Sequence, residues 1–201
     1  MKIGIDFDNT IVSYDKLFYQ IAVEKKIITS NFPVNKIAVR NRLRSLNQED
    51  IWTVMQGEVY GLRLREATPY PYFFDFIKAV QRLSHQIFII SHKTKVPFAG
   101  PAYDLHQAAR EWIIKNMELN GIKFDESKSA FFEITQEKKI ERIARLDCDV
   151  FIDDLPEILS MPGFPSKTVK ILFDPDNTHT KKNQKIINLT SWKRIEKYLN
   201  K

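Results

Sequence analysis

The sequence predicts an α/β protein built on a parallel β-sheet that helices cover on both faces. Short apolar runs, typical of buried strands, recur at 3–7, 87–90, 130–134, 149–153 and 169–173. Amphipathic helical stretches separate or follow these runs, at about 73–84, 104–120, 136–146 and 191–199. Strands that alternate with helices favour a parallel sheet, and such sheets bind ligands at the carboxyl ends of their strands.

The first predicted strand ends in two carboxylates. Ile3 and Ile5 are apolar, Asp6 and Asp8 follow at a spacing of two, and Thr10 comes two residues later. Because side chains alternate along a strand, we expect Asp6 and Asp8 to point the same way. Two like charges held so close repel each other unless a cation or a proton relieves them. The pair therefore indicates a site that binds a cation or transfers a proton.

The interval between the first strand and the run at 87–90 is far longer than one crossover connection requires. Most of it is helical in pattern, and the turn sequence ATPYPY follows. We therefore predict a core domain of 1–14 and 67–201 and a small helical insertion of 15–66 over the end of the first strand. Such a cap would exclude water and select substrate. The alternative is that these helices only extend the core.

Further polar side chains occur where later strands end and where one helix begins. Ser91 ends the second strand, Asp153 and Asp154 end the fourth, and Lys138 and Lys139 begin the helix between the third and fourth strands. A parallel sheet brings these ends together, and carboxylates from separate strands suit Mg²⁺. One carboxylate could attack phosphorus, a second could transfer protons, and the hydroxyl and ammonium could hold the transferring oxygens.

With these elements, the chain resembles the haloacid dehalogenase-like (HAD) hydrolases. The sequence DFDNT at 6–10, Ser91 after its apolar strand, the helix-start lysines and FIDD at 151–154 look like the four ordered motifs of that family. The resemblance implies a three-layer, Rossmann-like α/β fold with a parallel sheet. It also implies a small helical cap inserted after the first strand.

The resemblance implies a role for each acidic residue. Asp6 matches the nucleophile and a metal ligand, and Asp8 matches the general acid/base, with its backbone carbonyl as a metal ligand. Asp153 matches the acidic Mg²⁺ ligand. Asp154 would lie nearby, and Glu157 falls where the family often has an outer acid. The implied metal set is therefore Asp6, Asp8 and Asp153.

The resemblance also implies a set of residues that hold the substrate. The predicted catalytic residues are Asp6, Asp8, Ser91 and Lys139, and the predicted substrate-binding residues are Thr10, Ser91, Lys139 and His92. His92 is included because it directly follows Ser91, and the alternative is that it is a loop residue. Lys139 is chosen over Lys138 because it directly precedes Ile140 in a KIERIARL pattern. Lys93 also follows Ser91 and is a further candidate for substrate contact. The histidines are scattered, so the sequence predicts no zinc site.

Composition and charge restrict the partners. The formal net charge is +6, from 31 basic and 25 acidic residues, and the basic residues are dispersed. This balance fits a small phosphorylated metabolite and does not by itself argue for nucleic acid. The densest basic cluster places Arg40 and Arg44 on one predicted helix face, which keeps nucleic acid open as an alternative.

Two further features bear on location. Cys148 is the single cysteine, so no internal disulfide can form, which fits a reducing compartment. The sequence shows no signal-peptide pattern, and no apolar run approaches the roughly 18 residues of a membrane span. We therefore predict a cytoplasmic protein without a membrane partner. The sequence indicates no oligomeric state.

Together these patterns predict a Mg²⁺-dependent phosphatase that hydrolyses a small phosphate monoester through an aspartyl-phosphate intermediate. With an aspartate at position 8, the chain resembles the phosphatases and phosphotransferases of the HAD family. The dehalogenases of that family lack an acid at this position. One alternative is a nucleotide or nucleic-acid end phosphatase similar to the 5′-nucleotidases. Another is a non-catalytic binding module that kept the fold.

Overall fold

The computed structural model describes residues 1–179 and 185–200, and the chain divides into two compact units. The core unit consists of Met1–Val12, Pro69–Lys93 and Ile114–Lys201. The helical unit consists of Ser13–Thr68 and Thr94–Ile113. The helical unit thus includes the predicted insertion and, in addition, a segment that follows the second strand of the sheet. Its role as a cap stays a prediction.

A six-stranded parallel sheet forms the centre of the core unit. The strands, in chain order, are β1 (Lys2–Ile5), β2 (Val12–Ser13), β3 (Thr68–Pro69), β4 (Gln86–His92), β5 (Ala130–Glu133), β6 (Val150–Asp153), β7 (Val169–Phe173) and β8 (Ile186–Leu189). The order in the large sheet is β5-β4-β1-β6-β7-β8, and every neighbouring pair is parallel. The predicted parallel α/β fold is confirmed.

The helices follow the predicted alternation closely. They are α1 (Asp15–Glu24), α2 (Lys36–Ser45), α3 (Glu49–Gly57), α4 (Phe73–Arg82), α5 (Leu105–Leu119), α6 (Glu126–Ser129), α7 (Gln136–Leu146), α8 (Pro156–Leu159) and α9 (Trp192–Leu199). A five-residue π-helix, Glu58–Leu62, and a 3₁₀ turn, Leu64–Glu66, follow α3. No helix within the described ranges is long and apolar enough to cross a membrane.

One face of the sheet packs against α7 and α8 through aliphatic and aromatic side chains. Phe151 of β6 is completely buried in this cluster, with Ile143 of α7 and Ile158 of α8. Gly4 of β1 lies beneath the Phe151 ring, and a Cβ at position 4 would be only 2.5 Å from Phe151 Cδ2. The glycine therefore lets the two central strands keep a large ring between sheet and helix.

The second cluster of the core unit is aromatic and involves α4 and α9. The indole of Trp192 is completely buried, and its centroid lies 5.0 Å from that of Phe73, 4.9 Å from that of Phe76 and 5.3 Å from that of Phe173. Its Nε1 donates a hydrogen bond of 3.2 Å to the carbonyl of Thr10. The C-terminal helix thus anchors the loop that follows β1.

The helical unit has its own core. Phe18 of α1 stacks on Trp52 of α3 with ring centroids 4.6 Å apart, and both side chains are buried. Gly57 and Gly61 allow close approach of the segment after β4, because a Cβ at position 61 would lie 2.6 Å from Cβ of Tyr103. Long-range packing therefore joins the segment Thr94–Ile113 to the insertion.

Candidate active site

The carboxyl ends of β4, β1 and β6 lie side by side, since these three strands are neighbours in the sheet. Asp6 directly follows β1, and its backbone N–H donates to the Ile152 carbonyl at 2.9 Å. Asp153 is the last residue of β6, and Ser91 is the penultimate residue of β4. All three side chains are buried, with exposed fractions of 4% or less. The topology therefore places these predicted site residues at one edge of the sheet.

A tight turn presents Asp6 and Asp8 after β1. Asn9 adopts a left-handed conformation with φ 57°, which asparagine tolerates better than most residues. The backbone N–H groups of Ile11 and Val12 both donate to the Phe7 carbonyl at 3.1 Å. The turn thus reverses the chain immediately after the carboxylates and keeps them at the sheet edge.

Lys139 is completely buried between two of these carboxylates. The helix α7 begins after Thr135, whose side chain accepts a hydrogen bond from the backbone N–H of Lys138. From the first turn, Lys139 Nζ reaches Asp6 Oδ1 at 2.6 Å and Asp153 Oδ2 at 2.7 Å. Lys138 is exposed. The structure thus brings Lys139 to the acids.

The charge of the Lys139 side chain follows from its two carboxylate partners. Burial alone would lower the pKa of Lys139, but the carboxylates of Asp153 and Asp6 outweigh it and raise that pKa above its ordinary value. For Asp153, burial is the larger effect and raises the pKa of its carboxyl to about 7, although Lys139 opposes the shift. Lys139 serves two carboxylates at once, so it stays an ammonium.

Three carboxylates converge closely enough to share a cation. Asp6, Asp153 and Asp154 each offer an oxygen, and these oxygens lie within 4.8 Å of one another. Thr10 Oγ1 lies 3.5 Å from Asp6 Oδ2 and 3.4 Å from Asp154 Oδ1. A set of carboxylate and hydroxyl oxygens fits Mg²⁺, which prefers oxygen ligands. The predicted metal ligation by the Asp8 backbone carbonyl stays a prediction.

Asp8 has a cationic partner of its own. Lys93 Nζ lies 3.0 Å from Asp8 Oδ1 and 2.8 Å from Asp8 Oδ2. The Lys93 side chain is buried, whereas that of Asp8 keeps 22% of its surface exposed. The site therefore contains two separate carboxylate–lysine groups, one at Asp6 and Asp153 and the other at Asp8.

His92 lies at the margin of the site and is partly buried. Its Nδ1 is buried and has no hydrogen-bond partner among the described residues. Burial, reinforced by the charge of Lys139, lowers the pKa of its imidazole. His92 is therefore a neutral ring near pH 7, and its predicted contact with substrate stays a prediction.

The comparisons with known proteins address the fold. A protein named "Putative nucleotidase OB0422" from Oceanobacillus iheyensis is 23% identical over 197 residues, which cover 96% of this chain and 95% of that protein. A HAD-superfamily hydrolase from Ehrlichia chaffeensis superposes with a TM-score of 0.56 at 12% identity, over 99% of this chain and 95% of that chain. The chain has the fold of the HAD-like hydrolases. The predicted resemblance to the HAD-like hydrolases is confirmed for the fold.

A second solved structure supports the same fold. The "putative HAD-hydrolase YfnB" from Bacillus subtilis, solved with bound magnesium, superposes with a TM-score of 0.55 at 13% identity, over 100% of this chain and 98% of that chain. No family model matches the chain. The HAD-like fold is therefore shown by the match of the whole chain to these solved structures.

Within this HAD-like fold, the structure adds two residues to the predicted site. Asp154 belongs to the acidic cluster itself, whereas the resemblance predicts it only near the metal ligands. Lys93 pairs with Asp8, whereas its position after Ser91 predicts only a substrate contact. The signal for Lys93 was its spacing of two from Ser91, since residues at that spacing in a strand point the same way.

Proposed function

We propose that the chain is a Mg²⁺-dependent phosphatase that hydrolyses a small phosphate monoester through an aspartyl phosphate on Asp6. The observation that carries the proposal is the completely buried ammonium of Lys139 between the carboxylates of Asp6 and Asp153. Replacement of a whole buried ion pair by apolar residues is often neutral for stability, so stability alone does not explain this group. The ammonium is well suited to neutralise the charge of a phosphoryl group during transfer.

The proposed roles follow the two lysine–carboxylate groups. Asp6 attacks phosphorus as the nucleophile, while Lys139 neutralises the transferring oxygens. Asp8 protonates the leaving oxygen and then takes a proton from the attacking water. Ser91 and Thr10 orient the phosphoryl group.

The acidic cluster fits the proposed metal. Asp6, Asp153 and the backbone carbonyl of Asp8 would hold Mg²⁺, with Asp154 beside them, and the ion would supply positive charge to the phosphoryl oxygens. The magnesium in the YfnB structure supports this choice of ion. The single cysteine supports a reducing compartment, so we place the activity in the cytoplasm.

Nucleotides are the substrate class that the comparisons favour. The relative from Oceanobacillus iheyensis carries the name of a nucleotidase, and the chain has a net charge of +6 that attracts anions. Nucleoside monophosphates are therefore the first esters to test. Nucleic-acid ends remain the alternative, which salt-sensitive binding to oligonucleotides would favour.

The test is phosphate release with Mg²⁺ from nucleoside monophosphates, sugar phosphates and an aryl phosphate. We expect turnover that disappears when EDTA removes the metal and when Asp6→Asn removes the nucleophile. The matched control is Asp176→Asn, since Asp176 is exposed in the loop after β7. Activity that survives Asp6→Asn would contradict the mechanism. Inactivity of the wild-type protein on every ester would favour a non-catalytic binding module.

A further inference from the structure

Lys93 is a buried lysine whose ammonium contacts both oxygens of one carboxylate. Its Nζ lies 3.0 Å from Asp8 Oδ1 and 2.8 Å from Asp8 Oδ2, and only 5% of its side-chain surface is exposed. A long side chain loses considerable rotamer freedom when it is buried in this way. Contact with both oxygens also fixes the rotation of the Asp8 carboxylate.

The backbone beneath Lys93 is held by the neighbouring strand. The Lys93 N–H donates to the Glu133 carbonyl at 2.8 Å. The Glu133 side chain accepts from Arg142 Nε at 2.7 Å, and the guanidinium of Arg142 lies 4.5 Å from the centroid of the Phe131 ring. Lys93 therefore reaches Asp8 from a site braced by β5 and α7.

The pairing fixes the place and the rotation of the Asp8 carboxyl group, which the proposed mechanism uses to activate water. An ammonium that contacts both oxygens holds that group in one orientation beside Lys93. The 22% of the Asp8 side chain that stays exposed leaves access for water. The geometry thus provides a fixed carboxyl group that water can reach, as hydrolysis of the aspartyl phosphate requires.

We propose that Lys93 is a positioning residue that holds the Asp8 carboxylate as the base for hydrolysis of the aspartyl phosphate, an inference that rests on the proposed phosphatase function. In this step Asp8 takes a proton from water while the water oxygen bonds to phosphorus. The bond between phosphorus and the Asp6 oxygen breaks, and its electron pair returns to Asp6. The products are hydrogen phosphate, the Asp6 carboxylate and a protonated Asp8.

The proposed role of Lys93 concerns one of the two half-reactions, which are formation and hydrolysis of the aspartyl phosphate. Formation of the intermediate from p-nitrophenyl phosphate needs little help from an acid, because nitrophenolate leaves as a stabilised anion. Hydrolysis of the intermediate needs the base whatever the leaving group was. Loss of Lys93 should therefore slow the second half-reaction much more than the first.

The test is stopped-flow measurement of nitrophenolate release by wild type, Lys93→Met, Lys93→Arg and Lys95→Met. Methionine keeps an unbranched chain of similar length. Lys95 is an exposed lysine two residues along the chain and provides the matched control. Arginine can pair with both oxygens of a carboxylate and should restore part of the lost rate.

For Lys93→Met we expect a burst of about one nitrophenolate per active site at a rate close to that of the first wild-type turnover. The steady-state rate after the burst should fall about 10²-fold, the lower end of the contribution of acid–base catalysis. Lys95→Met should behave as wild type. Circular dichroism and thermal unfolding confirm that each variant is folded.

Other outcomes overturn the inference in distinguishable ways. If burst and steady-state rates fall together in a folded Lys93→Met protein, Lys93 does not act through the second half-reaction. An unchanged steady-state rate also contradicts the role. If the wild-type protein itself fails to hydrolyse any ester, the proposed function fails and this inference fails with it.

Discussion

Replacement of Lys139 by methionine tests whether this buried ammonium holds the site together. Asp6 and Asp153 are 4% and 0% exposed, with oxygens within 4.8 Å of each other, and Lys139→Met removes the ammonium between them. Two unit charges at that separation repel by about 3.5 kcal/mol at an effective dielectric constant of about 20, which is an upper figure because Asp153, whose pKa is raised to about 7, can take up a proton in the variant. Removal of one partner from a buried ion pair typically costs about 3–5 kcal/mol, so the two magnitudes agree.

The assay is thermal and urea unfolding in EDTA, which keeps divalent cations from replacing the missing charge. For a chain of this length, each kcal/mol of stability shifts the melting temperature by about 2–4 °C. We therefore expect Lys139→Met to lower the melting temperature by roughly 6–20 °C. Lys138→Met is the matched control because Lys138 is the exposed neighbour on the same helix. Its effect should stay within about 0.5 kcal/mol.

A second substitution checks the cause of the loss. Combining Lys139→Met with Asp153→Asn removes the repulsion along with the ammonium, so the double variant should recover part of the stability. A loss below about 1 kcal/mol for Lys139→Met, similar to that of an ordinary surface ion pair, would refute the reasoning. A double variant less stable than Lys139→Met would also refute it.

Three further predictions concern the core, the thiol and the helical unit. Gly4→Ala places a methyl group 2.5 Å from Cδ2 of the Phe151 ring. Urea unfolding should therefore show a free energy of unfolding lower by about 1–3 kcal/mol, and an unchanged value would contradict this packing. Burial raises the pKa of Cys148 to about 12, so at pH 8 the thiol should stay protonated and react with Ellman's reagent only after denaturation. Hydrogen bonds from Arg63 lower the pKa of Glu24 and of Glu66. Their stabilisation is therefore complete above the ordinary glutamate pKa and lost as pH falls through the lowered values. The stability gap between wild type and Arg63→Met should close over the same range in pH-dependent unfolding, whereas a gap that persists at low pH would exclude this pairing as its source.

The strands that carry the site could be predicted from the sequence because each is a short apolar run. Ile3 and Ile5 precede Asp6, and a comparable apolar run precedes Asp153. The sequence therefore predicts both the buried strands and the acidic residues at their carboxyl ends. The sequence does not predict β8, because it is an edge strand whose side chains are only partly buried. Its sequence, IINL, is as long as β1 and β6 but lacks their burial.

Two features of the structure depend on contacts that a local pattern does not reveal. The segment Thr94–Ile113 belongs to the helical unit because Gly57 and Gly61 approach Pro97 and Tyr103 closely. The pairing of Lys93 with Asp8 joins residues 85 positions apart. Both contacts depend on how distant elements pack against each other. A short stretch of sequence reveals only the spacing of residues within one element.

The most direct test of the central claim is to locate the phosphoryl group during turnover. The enzyme is mixed with a substrate ester and Mg²⁺, quenched, reduced with borohydride and digested for peptide mass spectrometry. An aspartyl phosphate is reduced to homoserine, so we predict homoserine at position 6 and nowhere else. Reduction at Asp153 or Asp8, or turnover without any reduced aspartate, would contradict Asp6 as the nucleophile.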